Sequence, residues 1–194
     1  MTFIKMTLEI ALFGSGSVCS SIKYVLNNLA GSNSVKVTDV VVTSNCEPAL
    51  STEMANLSEN VRFHVIPNEN INLKERHLFE DGIKQFWENN SLPNVVMLLG
   101  WNFILTESFL NFFRKNNCLV INMHPALPNS FVGANAVQET FKQLQDGKMT
   151  TTGSMIHVVT PKVDRGHVLG VSNVEMNSNL IKTEEALREV IKLH

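Results

Sequence analysis

Short continuous apolar runs alternate along this chain with longer segments whose apolar residues fall three and four apart. That alternation restricts the possible folds more than any other feature of the sequence. Leu8–Phe13 (LEIALF), Val35–Thr43 (VKVTDVVVT), Val61–Ile66, Val95–Leu99 (VVMLL) and Cys118–Met123 (CLVINM) read as strands. Between them, Ile22, Val25, Leu26 and Leu29 share one helical face, and Gly31 is placed to end that helix. Residues 73–90 set Phe79, Ile83, Phe86 and Trp87 on one side of a second helix. Further helices are predicted over about 106–115 and about 135–146, the latter with Val137, Phe141 and Leu144 inward. Strand and helix in alternation predict an α/β fold: an open, mostly parallel twisted sheet with helices on both faces. Residues 152–160 and 167–176 read differently, as an antiparallel hairpin linked around Asp164. A final helix opens at Thr183, with Ala186, Leu187 and Val190 periodic.

Composition narrows the function classes. The 194 residues suit a single domain, read as 1–194, with a sizeable core. A formal net charge of −2 gives no global footprint for nucleic acid or for an anionic membrane. No stretch approaches the roughly 18 apolar residues of a membrane span, and the N-terminus carries no signal-peptide pattern. Cys19, Cys46 and Cys118 are odd in number and widely spaced, which reads as a reduced, cytoplasmic chain without zinc or disulfides. Cys19 follows a glycine turn, a setting that can favour a thiolate, although free cysteines more often pack as small hydrophobes.

Ligands of open parallel sheets collect beyond the carboxyl ends of the strands. Three strand ends here carry suggestive residues: GSGS at 14–17, Gly100-Trp101-Asn102, and Asn122-Met123-His124. On one edge they would line one cleft. The GSGS turn serves either as a tight turn or as an anion site, and it matches neither a Walker A loop nor the full dinucleotide fingerprint. Asn122 and His124 have the i, i+2 parity that points both to the same side of a strand. A polar pair at the end of a buried strand must be satisfied by something. Leu127–Pro128, just beyond, is the candidate for a cis peptide. His157 sits mid-strand and reads as structural, with its partner unassigned. Asp164 reads as a turn residue, and Trp101 and Phe103 as core.

Two stretches carry a family resemblance. INMHPALP (121–128), followed by Gly133, and TGSMIHVVTPKVDRG (152–166) resemble the Asn-x-His-Pro motif and later Asp of the folate-dependent formyltransferases. The GSGS turn, LLGWNFIL (98–105) and RHLFED (76–81) place the resemblance in the branch that acts on glycinamide ribonucleotide, nearest its fungal type, over nearly the whole chain. The fold implied is the Rossmann-like one of that family. The activity implied is transfer of a formyl group from the co-substrate 10-formyltetrahydrofolate to the amine of glycinamide ribonucleotide, in purine biosynthesis, without a metal. Its partners would be those small molecules, with neither nucleic acid nor membrane.

Position by position, the resemblance implies Asn122, His124 and Asp164 as catalytic residues. Gly16, Ser17 and Val18, together with Lys192, would meet the nucleotide phosphate; the family usually has Asn where Val18 stands. Arg76, Asn102, Phe103, Ile104, Leu105, Asn122, Thr160, Val163 and Asp164 would hold the folate. A carboxylate beside an imidazole favours its charged form, and Asp164 is the candidate to act so on His124. The same motif also suits a formyltransferase for methionyl-tRNA or an amino sugar, a formyltetrahydrofolate hydrolase, or a non-catalytic nucleotide-binding relic.

Overall fold

The computed structural model describes residues 7–15, 19–29, 31–43, 61–66, 76–88 and 90–192, the side chains of residues 19 and 20 excepted. The strands are β1 (Leu8–Gly14), β2 (Val35–Thr43), β3 (Arg62–Ile66), β4 (Val95–Leu99), β5 (Leu119–His124), β6 (Thr151–Val158) and β7 (Val168–Glu175). The helices are α1 (Cys19–Leu29), α2 (Arg76–Glu88), α3 (Glu107–Lys115), α4 (Ala136–Gln145) and α5 (Glu184–Lys192). The strands form one sheet in the order β3-β2-β1-β4-β5-β6-β7. β1 pairs in parallel with β2 and β4, and β2 with β3, whereas β5, β6 and β7 pair antiparallel. The mostly parallel sheet and the late hairpin are those the sequence predicts.

The chain divides into two compact units, Met1–Val120 and Ile121–His194. In the first, the unbroken apolar runs of β1 and β2 are buried: Ala11, Leu12, Phe13, Val40 and Val42 are fully enclosed. Burying each side chain of Val or Leu size contributes about 1.5–3 kcal/mol. Phe13 stacks on Trp87 at 5.8 Å and tilts against Trp101 at 5.2 Å, while Phe113 meets the edge of Trp87 at 5.5 Å. One buried residue in β2 breaks the apolar pattern. Asp39 stands directly opposite Arg62 in the parallel register, and Arg62 donates to both its carboxylate oxygens, from Nε at 2.8 Å and from a terminal nitrogen at 3.0 Å. Burial pushes the Asp39 carboxyl up, but His64, Arg62 and Thr38 around it outweigh this and hold it below the usual carboxylate range.

α3 begins as its sequence demands. Thr106 is the N-cap, and its hydroxyl accepts from the Phe109 N–H at 3.2 Å. Glu80 of α2, almost wholly buried, accepts the Thr106 N–H at 2.7 Å and the Thr106 hydroxyl as well. Cys118 is buried, and desolvation pushes its thiol up to about 12, which leaves it a packing residue.

In the second unit, Val137 of α4 packs with Leu187 and Ile191 of α5, against Phe141, Met176 and Ile181. Thr183 caps α5 by accepting the Ala186 N–H at 3.1 Å. β6 and β7 approach so closely at Gly153 that an added Cβ would lie 1.9 Å from the Ser172 carbonyl oxygen. No helix among the described residues is long and apolar enough to cross a membrane.

Candidate active site

In the first unit, the strand order turns back between β1 and β4, the place where open α/β sheets bind ligands. Ser15, 2% exposed, joins the two strand ends. Its hydroxyl donates to the Gly100 carbonyl at 3.0 Å and accepts the Asn102 N–H at 2.9 Å. Gly100, with φ +66°, makes the turn that brings its own carbonyl and the Asn102 N–H to one hydroxyl.

The residues read as folate-binding here are unequal. Asn102 and Ile104 are exposed, Phe103 leans on Trp101 and Phe79, and Leu105 is turned into the core, so that it can offer a ligand only backbone. Arg76 opens α2, and its enclosed Nε finds no hydrogen-bond partner among the described residues. Gly16, Ser17 and Val18, read as phosphate-binding, lie outside the described residues.

In the second unit, β5 and β6 build a polar cluster by register. Asn122 stands opposite His157, and His124 opposite Met155. Directly opposed residues share a face, so Asn122, His124 and His157 point to one side. The loop between β6 and β7 then carries Asp164 onto that face. Asp164 has φ +50°, and the Arg165 N–H bonds back to the Lys162 carbonyl at 3.3 Å, the signature of a type II turn with Asp at its third position. Gly166 lets this loop close, because a Cβ there would lie 1.7 Å from the Val158 carbonyl oxygen.

Asp164 ties the cluster together. Its Oδ1 accepts from the Asn122 amide at 3.3 Å and lies 3.3 Å from His157 Nε2. Its Oδ2 accepts the Gly133 N–H at 2.7 Å and lies 3.4 Å from His124 Nδ1. The opposite nitrogen of each ring meets a backbone carbonyl, His124 Nε2 at Phe131 (2.9 Å) and His157 Nδ1 at Val158 (3.0 Å). A carbonyl only accepts, so these two nitrogens carry the protons of the neutral rings. The hydrogen bond to Asp164 raises the pKa of His157, with burial opposing and the Val158 carbonyl adding to the rise. Burial pushes Asp164 up, but His157, the Gly133 N–H and the two imidazoles outweigh it and hold the carboxyl below its usual range.

The loop after His124 departs from the sequence expectation in one respect. No peptide bond among the described residues is cis, so Leu127–Pro128 is trans. Asn129 makes the turn instead: with φ +63° at its third position, it lets the Ser130 N–H reach the Leu127 carbonyl at 3.1 Å. Asn tolerates that left-handed conformation well enough that no isomerised proline is needed.

A family model described as formyl transferase matches residues 8–192 of this chain. The chain belongs to the formyl transferase family. It is 39% identical over 99 residues to the phosphoribosylglycinamide formyltransferase of Schizosaccharomyces pombe, a stretch covering 51% of this chain and 47% of that protein. It is 33% identical over 118 residues to the same-named protein of Saccharomyces cerevisiae, covering 60% and 52%. These alignments span about half the length of the curated relatives. Among solved structures, phosphoribosylglycinamide formyltransferase from Anaplasma phagocytophilum superposes with a TM-score of 0.76 at 20% identity, covering 97% of this chain and 80% of that one. Glycinamide ribonucleotide transformylase 1 from Geobacillus kaustophilus gives 0.77 at 19% identity, covering 97% and 92%. At such identities the likeness is one of fold.

Within this formyl transferase chain, the remaining site candidates lie apart from the cluster's hydrogen bonds. Thr160 donates its hydroxyl to the Lys162 carbonyl at 3.0 Å, and Val163 is exposed beside Asp164. Lys192 pairs with Glu189 at 2.7 Å, one turn earlier on α5. His157, read from sequence as structural, touches both Asn122 and Asp164. Its signal was the register of β6 against β5, which sets it opposite Asn122. Ser15, Glu80 and Gly133 lie inside stretches that carry the family resemblance but had no role of their own assigned from sequence, and the Phe131 carbonyl carried no sequence signal.

Proposed function

We propose that this chain is a cytoplasmic enzyme of purine biosynthesis that moves a formyl group from 10-formyltetrahydrofolate to the primary amine of glycinamide ribonucleotide. The observation that carries the reading is the convergence of Asn122, His124 and His157 on the single carboxylate of Asp164. The family match and the names of the relatives support the same reaction.

In this reading, the neutral amine attacks the formyl carbon, and the carbonyl π pair moves to oxygen. The Asn122 amide and the His124 ring donate to that oxyanion, and losing one such donor typically costs about 10²–10³ in turnover. The Phe131 carbonyl occupies the acceptor position at His124 Nε2 that the substrate oxygen would take, so turnover requires the loop to release that contact. The attacking nitrogen sheds one proton, relayed by way of Asp164 and water. Collapse of the tetrahedral centre breaks the bond to the folate nitrogen, which leaves with a proton from His124, so that the relayed proton restores the ring. Asp164 holds the imidazoles in orientation and balances their charge. Arg76 suits the folate carboxylate tail, the backbone of residues 102–105 its ring, and residues 16–18 with Lys192 the nucleotide phosphate.

The test is consumption of 10-formyltetrahydrofolate by the purified chain, with and without glycinamide ribonucleotide. Consumption only with the nucleotide, abolished in a folded His124→Ala variant, is the expected result. Consumption with water alone would reassign the chain to hydrolysis, and none under either condition would reject catalysis.

A further inference from the structure

The Asn122 amide nitrogen stands 3.3 Å from Asp164 Oδ1 and 3.3 Å from His157 Nε2. Because His157 Nδ1 donates to the Val158 carbonyl, Nε2 of the neutral ring is a bare acceptor. Both amide hydrogens of Asn122 are then committed, one to Asp164 and one to His157. A protonated His157 changes this. Nε2 becomes a donor to Asp164 Oδ1, 3.3 Å away, and can no longer receive a hydrogen from Asn122.

We propose that His157 is a positioning residue whose proton decides how many amide hydrogens Asn122 can offer to a substrate. The neutral ring takes one of them, and the charged ring returns it. The titratable groups facing His157 are Asp164 and His124, whose ring centroid is 6.4 Å away. Its other cross-strand neighbours, Asn122 on β5 and Val168 on β7, do not titrate. The raised pKa of His157 keeps the charged, hydrogen-returning form present closer to neutral pH than a free histidine would. Asn122 therefore acts as an oxyanion donor only while a proton sits one residue away, on a ring that need not touch the substrate. This consequence for turnover rests on the formyl-transfer reading; the exchange of hydrogen bonds does not.

The experiment is an NMR titration of the isotope-labelled full chain, following the Asn122 side-chain amide and the His157 and His124 rings. In the wild type, one Asn122 amide proton is expected to shift with the midpoint of His157. His157→Gln keeps an acceptor at every pH, and its Asn122 signal should stay flat across that range. Its kcat should fall about 10²-fold at pH values where wild-type His157 is charged, the size of one lost oxyanion donor, with KM for the formyl donor little changed. An Asn122 amide that ignores His157, or that follows His124 alone, overturns the proposal, as does a His157→Gln enzyme with the wild-type pH profile. Should His157→Gln fail to fold, the wild-type titration decides by itself. A chain that shows the co-titration but transfers no formyl group rejects the proposed reaction and leaves the exchange standing.

Discussion

Replacing Asp164 by Asn should destabilise the protein by an amount that depends on pH in a stated direction. The carboxylate is 8% exposed, accepts the Gly133 N–H at 2.7 Å, and lies 3.3 Å from His157 Nε2 and 3.4 Å from His124 Nδ1. An asparagine can keep its oxygen toward Gly133 and His124, which turns its NH₂ toward Asn122 and His157. Against a charged His157 this sets donor against donor, and a charge-assisted bond of about 1.5–3 kcal/mol is lost. Against a neutral His157 the NH₂ finds an acceptor at Nε2, and the deficit shrinks to the lost bond from the Asn122 amide and the weaker, neutral bond at Gly133, roughly 1–2 kcal/mol.

The pKa of His157 is raised in the folded state, so its contribution is complete below about pH 6.5 and fades as pH rises through the folded value. That of Asp164 is lowered, so its contribution is present above about pH 4 and fades as pH falls through its folded value. The penalty of Asp164→Asn is therefore greatest between about pH 4 and 6.5. At pH 5.5 a loss of about 2 kcal/mol corresponds to a Tm lowered by roughly 4–8 °C in a chain of this size. Thermal unfolding followed by circular dichroism at pH 5.5 and pH 9 reads this directly. Equal losses at the two pH values, or a larger loss at pH 9, would refute the assignment of the Asp164–His157 contact.

Two other substitutions test how the site is held. Glu80→Ala strands the Thr106 N–H at the start of α3 and should cost about 1–3 kcal/mol in denaturant unfolding; because residues 102–105 lead straight into that cap, the proposed folate-binding role of that segment predicts that KM for 10-formyltetrahydrofolate rises more than kcat falls. Gly166→Ala drives a Cβ to within 1.7 Å of the Val158 carbonyl and should displace the loop that carries Asp164. The expected outcome is a loss of about 1–3 kcal/mol together with loss of formyl transfer, and a variant with wild-type activity would show that the loop has room the packing denies it.

The sheet was legible because its strands announce themselves: β2, Val35–Thr43, has the bounds its apolar run gives it, and Thr106 and Thr183 sit where their helices begin. Side-chain partnerships that depend on register were less legible. Asn122 and His124 share a face by parity alone, which a sequence displays. That His157 lies opposite Asn122 depends on how β5 and β6 align, and two strands joined through a helix do not have this fixed by spacing. The Pro128 turn shows the opposite error. X-Pro bonds draw attention to isomerism, whereas the turn is made by the left-handed Asn129 that follows. Ser15 could not be singled out, since a serine in a glycine turn looks the same whether or not it bridges two strands 85 residues apart.

The pairing of Asp39 with Arg62 has a consequence for how β3 is kept in place. β3 is a five-residue edge strand, the kind most prone to slide along its neighbour. A shift by one residue would carry Arg62 to the wrong side and abandon a carboxylate that water cannot reach, an error of about 3–5 kcal/mol. The strand thus brings its own ruler. The number of residues joining it to β2 is free to drift over evolution, because alignment is measured by one guanidinium and not by the length of the tether.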